Sequence, residues 1–355
     1  MYIRSIQPSA DLASVDASTF DVARTAALID VIGPATPLCV APVPRQAQAL
    51  AERGYAGYFW GLGAAAIWSG WWTVTRAGVS TGLPAADLAA LRFGLGGLLL
   101  LPLAWRERAA IRKVPPGLLF FMAVGSGAPY ALVAGTGVRL ASAGVGGAIT
   151  VGLLPAFTLI LAILFLRERP TGRLFAGISC IFLGATTIVA SAWNGPGGWI
   201  GLGCFVAGAL MWSGYTVALR RAGLRPLTAA AVVCVGSLVF YTPAWLLTAG
   251  PGRLLAAAPA GLAFQAFYQS LLSAIAALYC FGRAVGSLGA TRASVFAAIV
   301  PALSMVTSAV VLGEQPSLTE LCGALLLSAG AIIAARPPID RIGSRVTPLS
   351  STRAA

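Results

Sequence analysis

Apolar runs of roughly 20 residues follow one another from about Gly57 to Ala335 with almost no polar spacers. As a helix, such a run crosses a hydrocarbon layer of about 30 Å. The pattern predicts ten spanning helices, over residues 57–79, 84–105, 117–138, 143–165, 173–192, 199–219, 227–249, 260–282, 289–311 and 317–335. Connections such as 166–172 and 223–226 are too short to hold a domain.

The pattern repeats itself. At a constant offset of 146 residues, Pro155 falls on Pro301, Glu168 on Glu314, Pro170 on Pro316, Gly177 on Gly323 and Gly184 on Gly330. Trp68-Ser69-Gly70 recurs as Trp212-Ser213-Gly214, at an offset of 144. Five spans per half is an odd number, so equivalent helices must run in opposite directions through the bilayer. The expected fold is an all-α membrane protein of ten transmembrane helices arranged as two inverted five-helix repeats.

Loop charge agrees with inversion. Arg106, Arg108, Arg112 and Lys113 follow the second span, whereas the equivalent loop of the other half holds only Arg253. Arg167, Arg169 and Arg173 follow the fourth span, whereas the loop around Glu314 has no cation. Conversely, Arg76 alone flanks the first loop, and Arg220, Arg221 and Arg225 flank its counterpart. The positive-inside rule then places both termini in the cytoplasm. The organisation expected is a flexible cytoplasmic tail (1–52), a first repeat (53–192), a second repeat (193–336) and a cytoplasmic C-terminal tail (337–355).

Composition narrows the function classes. Of 355 residues, 58% are hydrophobic and 10% charged, against about 25% charged in a soluble domain. The net charge of +13 sits in short loops and forms no continuous basic face, so a lipid bilayer is the expected partner and nucleic acid is not. Histidine is absent, which removes the usual general base and the commonest metal ligand. The six cysteines show no CxxC spacing, and no phosphate-binding loop pattern occurs. No cofactor and no metal site are expected. Gly144 to Gly147 and Gly201 to Gly208 read as small surfaces that let helices approach closely, and such faces also permit a homodimer.

Few residues could carry chemistry. Arg92 lies about 12 Å along its helix from Pro84, well inside the apolar layer. Two readings stand: a static anchor held by carbonyls or by Asp87, and a contact to an anionic group of a substrate. Trp68, Trp71, Tyr130, Trp212 and Tyr215 read either as helix packing and interfacial belt or as a cavity wall. Gln265, Tyr268 and Gln269 share one helical face, which should look into the bundle because a polar stripe facing lipid is costly. Pro155 and Pro301 each remove a helical hydrogen bond at mid-span, giving a packing kink or a pivot. Glu168 and Glu314 end their spans and read as turn and cap residues rather than proton carriers.

At these residues the chain resembles the EamA family of the drug/metabolite transporter superfamily. The resemblance rests on Pro155 with Leu166, Glu168 and Pro170, on the copy Pro301, Leu312, Glu314 and Pro316, on Leu91-Arg92-Phe93 and on Ser142-Ala143. It implies a secondary transporter of the bacterial inner membrane, exporting small metabolites, amino acids or toxic compounds by alternating access. The competing classes are an intramembrane enzyme, for which no activated nucleophile or metal site is apparent, and a membrane interaction or sensor protein.

Overall fold

The computed structural model describes residues 45–166, 172–192, 198–288 and 290–335. The expected tails up to residue 44 and from residue 337, and the turn carrying Glu168, lie outside the described residues. The chain divides into two compact units between Ala49 and Leu50, and the second unit, from Leu50 onward, holds the architecture below.

Every regular element among the described residues is helical. The first repeat comprises α1 (Arg45–Ser80), α2 (Ala85–Arg106), α3 (Arg108–Ile111), α4 (Pro116–Ser126), α5 (Ala128–Leu140), α6 (Ala143–Leu166) and α7 (Gly172–Ala192). The second comprises α8 (Gly198–Ala222), α9 (Pro226–Thr248), α10 (Gly252–Ala256), α11 (Pro259–Ala266), a π-helical segment (Phe267–Ala276), α12 (Ala277–Leu288), α13 (Ala290–Ala298), α14 (Val300–Leu312) and α15 (Leu318–Ala335).

Among the described residues, eight stretches are long and apolar enough to cross a membrane, or nine if the bent pair α13 and α14 counts as one. That falls one short of the ten expected. The stretch missing is α1, in which Trp60, Trp68, Trp71 and Trp72 alternate with glycine and serine and lower the hydropathy of a helix 36 residues long.

Three expected single helices are interrupted. The third span breaks at Gly127, because Pro129 has no N–H and its ring clashes with the preceding turn. The Ala128 N–H at the break donates to Ser237 Oγ on α9 at 3.1 Å, so the freed donor is not orphaned. The eighth span widens into ten π-helical residues. The ninth bends by 40° between α13 and α14, with Pro301 at the start of α14. Its counterpart Pro155 lies inside α6, which stays continuous.

Helix α7 packs along α15, and α2 along α9. In the first pair Gly177 faces Gly330 and Gly184 faces Gly323, so the lower-numbered glycine of one helix meets the higher-numbered glycine of the other. The two helices therefore run antiparallel. Because Gly323 and Gly330 are the repeat mates of Gly177 and Gly184, each contact maps onto the other. Helix α6, the core of the first repeat, packs between α8 and α14. Its Gly144 and Gly146 lie against Met305, Phe205 and Trp72, the close approach their small size allows.

Candidate functional site

A cavity of about 60 Å³ lies where the two repeats meet. Helix α1 supplies Trp68, Trp71 and Trp72; α2 supplies Arg92 and Phe93; the break in the third span supplies Ser126 and Tyr130. Helix α8 adds Trp212 and Tyr215, α9 adds Cys234, and the π segment adds Ser273.

The aromatic rings form one connected wall. The Trp71 ring stacks on Tyr130 with centroids 6.0 Å apart, Tyr130 leans on Trp212 at 5.7 Å, and Trp212 meets Trp68 edge-on at 6.5 Å. Trp68 and Trp212 are equivalent residues of the two repeats, so the repeat axis passes close to this contact. Trp71 is held in place from behind, its indole N–H donating to Gln269 Oε1 at 2.7 Å.

Arg92 enters this wall without a polar partner. Its Nε is buried and makes no hydrogen bond among the described residues, and its guanidinium carbon stands 5.0 Å from the centroid of Trp71 and 5.5 Å from that of Phe93. Cation–π attraction holds it but satisfies none of its N–H donors. The Asp87 anchor that the sequence offered is not used: Asp87, wholly buried, accepts from Trp245 Nε1 at 2.8 Å and from Arg253 Nε at 2.8 Å. The same contact pushes the strongly basic Arg253 guanidinium, in the loop helix α10, further up.

The amide stripe is placed differently from the cavity wall. Gln265 donates to the Val74 carbonyl at 2.8 Å, Gln269 donates to Thr75 Oγ1 at 3.2 Å, and Tyr268 donates to the Ile67 carbonyl at 2.9 Å. These three side chains dock the π segment and its flank onto α1. None of them lines the cavity. Phe93, Ser126, Cys234 and Ser273, which do, went unselected by the sequence reading; Gly127 with Pro129 was the available signal for Ser126.

One end of the bundle is pinned by side chains from both repeats. Glu314 accepts the Ala143 N–H at 2.9 Å and the Gly144 N–H at 3.2 Å, capping α6 from the loop after α14. Gly313, with φ of 68°, ends α14 in the left-handed conformation that turns the chain toward this contact. Arg76 donates to the Val138 carbonyl, and the Asp87–Arg253 pair lies at the same end. Towards the opposite end lies a vestibule of about 500 Å³ containing Pro155, Pro301, Thr158, Thr216 and Arg220. Val151, itself buried, borders both the vestibule and the central cavity.

The EamA-like transporter family model matches residues 55–190 and again 199–336, once per repeat. The chain belongs to the EamA-like transporter family. It is a multi-pass membrane protein. The chain is 26% identical over 204 residues to a protein of Streptantibioticus cattleyicolor named "Probable terminal-alkyne amino-acid exporter", the match covering 56% of this chain and 66% of that protein. It is 27% identical over 203 residues to the "Uncharacterized transporter YyaM" of Bacillus subtilis, covering 54% of this chain and 64% of that one. The matched stretch thus spans just under two thirds of either relative. A crystal structure, titled only as that of a protein, shares the fold at a TM-score of 0.55 with 20% identity, over 80% of this chain and 96% of its own.

Proposed function

We propose that this protein is a secondary transporter that exports small metabolites from bacterial cells across the inner membrane by alternating access. It would do so through ten spans forming two inverted repeats, with both termini in the cytoplasm. The observation that carries this reading is the asymmetry of the two ends. A mainly aromatic cavity between the repeats shares Val151 with a vestibule towards one end, while Glu314 and the Asp87–Arg253 pair tie the repeats together at the other.

Positive-inside charge assigns these ends. The vestibule lies on the side of Arg220, Arg221 and Arg225, the cytoplasmic side, and the pinned end is then periplasmic. Exchange between this arrangement and its mirror, with the repeats trading roles, carries solute across without ATP. The name of the Streptantibioticus relative favours an amino acid as cargo.

The test is efflux. Cells making the intact protein are compared by untargeted mass spectrometry of the medium with cells making equal amounts of a Trp68→Ala, Arg92→Ala double variant. A small set of unmodified metabolites enriched only with the intact protein supports export. Enrichment of chemically altered products, with no unmodified solute crossing sealed vesicles, points instead to an intramembrane enzyme.

A further inference from the structure

We infer that the central cavity takes an organic monocarboxylate carried on an aromatic or other flat apolar body, the carboxylate docking on Arg92. A benzene-sized guest needs about 150 Å³, so the cavity of about 60 Å³ must widen to admit that body. The assignment rests on reading this cavity as the transport site, and it names the chemistry of the cargo.

A guanidinium keeps its charge at any pH a cell reaches and presents planar N–H donors that match a carboxylate. Arg92 is buried at Nε, has no hydrogen bond among the described residues and faces no acidic residue in the cavity wall. Such a cation in the apolar layer calls for an anion supplied from outside the fold. A dianion such as a phosphate monoester would need a second cation, and the wall holds none. A cationic solute would be repelled, and a neutral one would leave the guanidinium as it is.

The neutral groups point the same way. Ser126, Tyr130, Tyr215 and Ser273 line the cavity, and their hydroxyls make no hydrogen bond among the described residues. They are free to donate to carboxylate oxygens. Ser126 and Tyr130 also flank the start of α5, the positive end of a half-helix. Trp68, Trp212 and Phe93 also line the cavity and offer apolar rings to the body of the solute.

The repeat supplies a built-in control. Cys234 aligns with Arg92 when Pro84 is set on Pro226, and its side chain lines the same cavity. Cys234→Asp would place a carboxylate beside Arg92 and substitute for the ligand.

Binding is read by quenching of tryptophan fluorescence in purified full-length protein, using 3-phenylpropionate, L-phenylalanine, 3-phenylpropanamide, 3-phenylpropylamine and phenyl phosphate as probes. For the intact protein the two carboxylates should bind at least about tenfold more tightly than the amide, the amine or the phosphate. Arg92→Gln should bring 3-phenylpropionate down to the level of the amide while the amide itself is unchanged. Cys234→Asp should lose carboxylate binding although the protein remains folded, which covers the case in which Arg92→Gln does not fold. Equal binding of amide and carboxylate, tighter binding of phenyl phosphate, or retention of carboxylate binding in Cys234→Asp overturns the assignment. Carboxylate binding without flux in sealed vesicles would remove the transporter reading and leave this one standing. Flux of the amide or amine without carboxylate binding would do the reverse.

Discussion

Gly184 and Gly323 meet backbone to backbone across the two repeats. A methyl group on Gly184 would stand 2.6 Å from the Gly323 carbonyl oxygen, and one on Gly323 would stand 2.8 Å from the Gly184 carbonyl oxygen. These carbonyl oxygens are main chain and cannot move aside as a flexible side chain would, and the Ile188 side chain crowds Gly323 as well. Gly184→Val and Gly323→Val should each destabilise the protein by about 1–3 kcal/mol, through overpacking. Gly203→Ala, at a position with nothing within 4 Å, should change stability by less than about 0.5 kcal/mol. Thermal unfolding in detergent compares the three.

The Asp87–Arg253 pair is unequally buried, with Asp87 fully enclosed and the Arg253 side chain 48% exposed. Removing the cation strands a buried carboxylate with only Trp245 Nε1 as donor, whereas Asp87→Asn removes the charge and keeps a polar partner for the indole. Arg253→Gln should therefore lower the unfolding temperature more than Asp87→Asn does. Adding Arg253→Gln on top of Asp87→Asn should cost little further. Equal losses in the two single variants would contradict this account.

Glu314 uses both carboxylate oxygens on the first N–H groups of α6. Glu314→Ala should destabilise the pinned end by about 1–2 kcal/mol, since it removes a cap and a charge at a helix N-terminus. Glu314→Gln should lose less, keeping one acceptor. If the contact holds the periplasmic end shut, a cysteine in place of Thr73, a buried α1 residue whose hydroxyl meets Thr307 of α14 at 3.3 Å, will react faster with an impermeant thiol reagent in the alanine variant than in the parent. Unchanged reactivity would make Glu314 a cap and nothing more.

Val151 lines both the central cavity and the vestibule. Val151→Phe adds bulk at the passage but leaves the Arg92 guanidinium as it is. Solute flux in vesicles should fall several-fold while carboxylate binding measured by fluorescence changes by less than about threefold. A parallel loss of both would mean that the added ring fills the cavity itself and would overturn this account.

Topology is tested with single cysteines at Lys113 and Gln315, both exposed loop positions. An impermeant maleimide added to intact cells should label Gln315→Cys above the parent protein and leave Lys113→Cys at the parent level. The reverse pattern would invert the assigned orientation and, with it, the side on which the vestibule opens.

Membrane class, the two repeats and the transporter family could be read from the chain because each depends on signals that are local or recur at a fixed offset. Span length follows from runs of apolar residues, and the repeat follows from the offset that relates Pro155 to Pro301. Those signals were weaker for α1, whose tryptophans and glycines serve packing and cavity wall rather than lipid contact, so its hydropathy understates its length. Gly127 and Pro129 did announce a break in the third span, yet its consequence depended on Ser237 receiving the freed Ala128 N–H from another helix.

What tertiary structure alone decided was which polar group meets which. Arg92 and Asp87 share α2, and sequence proximity suggested that they pair; instead Asp87 turns to Arg253, 166 residues away, and Arg92 is left against aromatic rings. Gln265, Tyr268 and Gln269 were expected to look into the bundle, and there their hydrogen bonds go to α1, a partner that the chain pattern did not name. The physical reason lies in the medium. A helix inside a bilayer is apolar on all sides, so its sequence does not mark which face turns inward, and that choice falls to close packing of small residues such as Gly184 on Gly323. The amino-acid pattern determined that this chain crosses a membrane as two related halves, and the packing of those halves determined that a lone guanidinium and a ring of tryptophans would share one cavity.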